Sequence, residues 1–140
     1  MAAFVKYNSF IDELSKGGHN LTTAVFKLAL TNTAPGAADT VWNTTVAPPP
    51  AAAGGYPAGG NTLTTTSATT VAGVFKLVLV DSVFTATAAG IGPFRYVILY
   101  NSTATNKLVG YYDYASSISL ADTDTFTTDF DATNGVFTIS

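Results

Sequence analysis

The chain has 140 residues, with 6 Lys or Arg and 9 Asp or Glu, so 11% are charged where an ordinary soluble domain carries about 25%. With 47% hydrophobic residues and no cysteine, the composition excludes a disordered segment, disulfide staples and thiolate chemistry. A net charge of −3 with basic residues scattered singly offers no cationic stripe to phosphates, so no nucleic-acid partner is expected, and the length predicts one domain over 1–140.

Lys6, Asp12, Glu13 and Lys16 leave no apolar stretch for a secretory signal at the start. Ser9 followed by Asp12 resembles a capping box, and Phe10, Ile11 and Leu14 predict a short helix that stops at Gly17 and Gly18. From Leu21 to Thr31 apolar residues alternate, which predicts a strand. Val25–Leu30 is matched closely by Val74–Leu79, so a second strand is predicted there. Similar core environments account for the match, with a duplicated half-domain as the sharper alternative.

Between them, residues 33–60 are rich in Ala, Pro and Gly and far exceed the usual connection of about 4 to 6 residues. The prolines and glycines of Val46–Gly60 exclude a membrane-spanning helix, and no membrane partner is expected. Trp42 and Tyr56 lie in this loop and are expected to anchor it, either on its own domain or on a neighbouring subunit. Thr62–Thr70 predicts a strand of β-branched residues.

Phe94–Tyr100 is apolar on both faces and predicts a central strand, with Lys107–Tyr114 returning as its hairpin partner after the polar turn Asn101–Asn106. Gly90-Ile91-Gly92-Pro93 reads as a turn feeding that strand. Short strands are predicted at Ile118–Leu120, Thr125–Phe130 and Val136–Ile139, and Asn134-Gly135 predicts a type I′ hairpin turn. About eight strands and one short helix define an all-β class, an antiparallel sandwich or barrel.

His19 is the only histidine, and a loop residue without a catalytic role is expected. Asp122, Asp124, Asp129 and Asp131 lack the ligand spacing of a calcium loop, and nothing places any two of them across a cleft. No phosphate loop or nucleophile elbow is present. The expectation is a protein that is not an enzyme and carries no cofactor or metal. Threonine fills about a sixth of the chain, so the polar strand faces carry hydroxyl and methyl groups that cost little to desolvate when partners meet.

Gly92-Pro93-Phe94-Arg95-Tyr96-Val97-Ile98-Leu99-Tyr100-Asn101, Gly110-Tyr111-Tyr112-Asp113-Tyr114, Phe130-Asp131-Ala132-Thr133-Asn134-Gly135-Val136 and the opening Phe4-Val5-Lys6-Tyr7-Asn8-Ser9-Phe10 with His19-Asn20-Leu21 and Leu30-Thr31-Asn32-Thr33 resemble small structural virion proteins of tailed bacteriophages. The resembling stretches lie on both sides of the Pro- and Ala-rich loop and leave out all of it but Thr33. It implies a capsid cement or decoration protein, made in the host cytoplasm and seated on the outer capsid surface as a homotrimer against the major capsid protein. Under it, Trp42, Tyr56, Phe4, Tyr7 and Phe10 are the expected inter-subunit contacts, and Arg95 is a rim contact or a stacked surface residue. A tail or tail-fibre component is the first alternative. A glycan-binding module offering Trp42, Tyr111, Tyr112 and Tyr114 is the lesser one.

Overall fold

In the computed structural model, which describes residues 2–140, the chain runs β1 (Phe4–Lys6), α1 (Asn8–Ser15), β2 (Phe26–Thr31), β3 (Asn61–Thr62), β4 (Thr65–Val71), β5 (Val74–Leu79), β6 (Ser82–Thr85), β7 (Ile91–Asn101), β8 (Lys107–Leu120), β9 (Thr125–Thr128) and β10 (Phe137–Ile139). The fold is β-rich and antiparallel, and it divides into three sheets without closing into a barrel. The strand orders are β1-β8-β7-β2-β3, β10-β5-β4 and β6-β9. Among the described residues, ten strands replace the eight expected. The segment 118–120 is the end of β8, while β1, β3 and β6 span only two to four residues, too few for periodicity to show.

The strand β7 is central, flanked by β8 and β2, as its two apolar faces predict. Register explains why both faces are apolar. Leu28 pairs with Leu99 and Leu30 with Val97, while the alternate pairs are Lys27–Tyr100 and Ala29–Ile98. On the first face, Phe26, Leu28, Leu30, Val97 and Leu99 are fully buried. Phe137 of β10 stacks there at 5.8 Å on Phe4 and meets Phe10 of α1 edge-on at 5.3 Å. Each such side chain contributes about 1.5 to 3 kcal/mol on leaving water.

The second face is covered by the long loop. Trp42 stacks on Tyr100 at 6.0 Å, and the Tyr100 hydroxyl donates to the Gly59 carbonyl. The loop backbone also extends the sheet: Trp42 N–H donates to Asn106 O, Leu108 N–H donates to Thr40 O, and Val41 bridges to Lys107. Where β3 ends, the Tyr56 hydroxyl accepts the Leu30 N–H at 3.2 Å, in place of the missing strand.

The matched strands β2 and β5 are each interior to their own sheet, paired on both sides. Their Phe-x-Leu-x-Leu residues face the common core, so similar surroundings explain the sequence match. Two local expectations are corrected. Ser9 lies inside the helix and its hydroxyl bonds the Asp39 carbonyl, while Tyr7 occupies the N-cap without a side-chain bond. Asn134-Gly135 joins no hairpin, because β9 pairs with β6 and β10 with β5. The Asp131 carboxylate accepts the Thr133 and Asn134 N–H groups, and only Gly135 takes positive φ. That turn carries the chain from one sheet to another.

His19 lies in the loop that follows α1, as expected, and is buried there. Its Nδ1 lies 3.2 Å from the Asn101 amide, its ring meets Phe10 edge-on, and its Nε2 has no hydrogen-bond partner among the described residues. Burial lowers its pKa below 6.5 and nearby Lys107 adds to that, against a smaller opposing pull from Glu13, the ion-pair partner of Lys107. The unfolded chain therefore takes up a proton that the fold resists. The stabilisation is complete above pH 6.5 and is lost as pH falls below it through the folded pKa. Thermal unfolding of His19→Gln followed from pH 7.5 to 5 is expected to show a flatter acid limb than wild type.

Candidate interaction surface

The side chains expected to reach neighbouring subunits are mostly enclosed by their own domain. Phe10, Tyr56, Tyr7 and Trp42 are 0%, 3%, 5% and 8% exposed, so they have little area left to offer a partner. Half-buried Phe4 packs on Tyr112 and Phe137. Burial sets the chemistry of these groups: it pushes the Tyr56 phenol up to about 12 and raises Tyr7 and Tyr112 as well. Trp42 covers the second face of the central sheet, Tyr56 closes the open edge of β2 and packs on Phe84, and Phe10 meets Phe137 on the first face. The same burial withdraws Trp42 and Tyr112 from the ring platform a glycan would need. Arg95 forks onto Asp113, with Nε and Nη2 at 2.7 and 2.9 Å from its two oxygens, and lies over the Tyr96 ring. This pair holds the Asp113 carboxyl below its ordinary range, chiefly through the guanidinium hydrogen bonds.

Two of the four aspartates near the C-terminus serve as turn caps. Asp124 accepts the Ala121 N–H, and Asp131 accepts from Thr133 and Asn134. Among the described residues, no three His, Asp or Glu gather at metal-binding distance. A cleft of about 200 Å³ opens between the loop and the second face of the large sheet, lined by Tyr7, Thr31, Asp39, Trp42, Ile98 and Leu108.

One long stretch that the fold exposes in part is uncharged. From Thr40 to Phe75 the sequence holds no Asp, Glu, Lys, Arg or His. This run supplies the outer turns of the loop and then β4, the outermost strand of the second sheet. β4 reads Thr-Thr-Ser-Ala-Thr-Thr-Val, and Thr66, Thr69, Thr70 and Val71 are exposed. It pairs with β5 from Thr65 to Val71, with a bulge at Thr66. A two-residue turn, Ala72-Gly73, closes the hairpin with both residues in the left-handed region, the geometry that matches strand twist. Val71 and Val74 stand exposed beside that turn, and Val80 and Val83 continue the aliphatic exposure. Lys76, the one cation on the hairpin's outer face, is tied to the Thr133 carbonyl.

Alternate residues of an edge strand turn N–H and C=O groups outward, and proteins that stay apart usually guard such edges with Lys or Pro. β4 has neither. Strand signals located this segment in the sequence, but its edge position depends on pairings made elsewhere. The readable sign was the unbroken uncharged run itself. Compared with known proteins, the chain matches no protein-family model, no curated sequence and no solved structure.

Proposed function

We propose that the chain is a non-enzymatic structural protein of a tailed-bacteriophage particle, acting as a capsid cement or decoration protein. It works as a homo-oligomer on the outer surface of the head and holds major capsid protein subunits by non-covalent contacts. One observation carries the reading: the exposed surface supplied by Thr40–Phe75, including the edge strand β4, contains no charged group. Covering such a surface strips water from hydroxyl and methyl groups and buries no unpaired ion. Many small contacts of this kind, repeated by symmetry, add up to a strong shell. The resemblance of the Gly92–Asn101 and Gly110–Tyr114 segments to virion proteins supplies the particle. In the finer reading of the fold, the large sheet and the β10-β5-β4 sheet form a sandwich around the Phe26, Leu28, Leu77 and Phe137 core.

The test is co-sedimentation of the purified protein with emptied heads and, separately, with detached tails. Pelleting with heads, together with a higher temperature of head disruption, is the expected result. Pelleting with tails alone makes the protein a tail component, and pelleting with neither overturns the particle reading.

A further inference from the structure

The edge strand β4 has an internal symmetry that specifies its partner. We propose that β4 is a homodimer contact, pairing antiparallel with β4 of a second copy about a two-fold axis through Ala68. The inference rests on the self-association in the reading above and is independent of the particle.

Turned against itself about Ala68, the strand sets Ser67 opposite Thr69, Thr66 opposite Thr70 and Thr65 opposite Val71. Every hydroxyl-bearing residue but Thr65 meets another, and the smallest side chain sits on the axis, where two identical residues approach most closely. Thr–Thr and Thr–Ser pairs are favourable cross-strand neighbours. An isologous contact needs this kind of self-complementarity. It also needs a strand that brings no like charge against itself, and the nearest charged residues in sequence are Asp39 and Lys76. Within β4 itself no side chain offers a counter-ion to a foreign strand bearing charges.

The pairing converts two three-stranded sheets into one of six strands and satisfies the outward backbone groups of both copies. It closes with two copies, unlike the threefold arrangement that the phage resemblance implies. The Ala72-Gly73 turn and exposed Val71 then lie beside Thr65 of the other copy, which lengthens the apolar contact past the paired backbones.

The experiment is sedimentation equilibrium of the full chain over about 1 µM to 1 mM. It compares wild type with Thr66→Lys/Thr70→Lys and with Thr66→Glu/Thr70→Glu. Both positions are exposed, and the two-fold pairing places each substituted residue opposite the other substituted position of the second copy. Wild type is expected to form a dimer, and each charged variant alone to dissociate at least about tenfold more readily, since like charges are brought together. Mixing the Lys and Glu variants is expected to restore a mixed dimer, which also shows that both variants are folded. A wild type that is monomeric throughout, charged variants that dimerise as wild type does, or a mixture that stays monomeric would each overturn the proposal. So would open-ended fibres, because a two-fold contact closes. Attachment of a monomeric wild type to heads would leave the particle reading intact while removing this contact. A dimer that attaches to no head or tail would do the reverse.

Discussion

Replacing Trp42 with alanine is expected to destabilise the fold by about 3 to 5 kcal/mol, the usual cost of truncating a buried tryptophan. The indole is 8% exposed and stacks on Tyr100 over the second face of the large sheet. Its loss opens that face to water at the point where the loop is also hydrogen-bonded to the β7–β8 turn through Trp42 N–H and Asn106 O. The loop would keep its second fixing, the Tyr100 hydroxyl on Gly59 O, so the damage should be local at first. Chemical denaturation checks the prediction: a lowered midpoint together with faster proteolysis between Thr33 and Gly60 is the expected pair of results. Unchanged stability would mean that the loop does not depend on its tryptophan. Trp42→Phe should recover part of the loss, because a flat ring can still lie on Tyr100.

The second large effect is expected from Gly54→Ala. Gly54 is buried in the short 3-10 turn Ala52–Gly54, and its backbone lies against Gly90 at the start of β7. A Cβ placed there would overlap the Gly90 carbonyl oxygen. The Gly54 carbonyl also accepts the Thr87 N–H, so moving the turn away costs a hydrogen bond. A loss of about 3 kcal/mol is expected, at the upper end for overpacking a tight site. Gly73→Ala, at the exposed hairpin turn where a Cβ meets nothing within 4 Å, is the comparison. There only the left-handed backbone is strained, at about 1 to 2 kcal/mol. If the two substitutions cost the same, the close approach of Gly54 and Gly90 is not what the site requires.

Much of the architecture was written in local patterns. The two-sided apolarity of Phe94–Tyr100 announced a central strand, and the turn at Asn101–Asn106 announced its hairpin, because neighbours in sequence became neighbours in space. What stayed hidden was long-range. Phe4–Lys6 pairs with Gly110–Tyr112, a partnership that no three-residue window can display. The Asn134-Gly135 signal failed for a related reason. Asp131 imposed a different turn, and β5 was a better partner for the last strand than β9. For the interaction surface, the aromatic residues of the loop and N-terminus pointed inward, since hydrophobic rings near a large apolar sheet find their first partners at home. The exposed, uncharged edge was legible only as a lack of Lys and Glu, and its edge position had to come from the topology.

The strand pairings also have a consequence in time. The large sheet joins residues near the beginning of the chain to residues beyond 100, and Phe137 closes over Phe4 and Phe10. Strand contacts so distant in sequence place such domains among the slower folders, in milliseconds to seconds. During synthesis the first helix and β1 must wait, unprotected, for almost the whole polypeptide to emerge from the ribosome. A stalled or prematurely released nascent chain would therefore leave apolar segments for a chaperone or a protease to find.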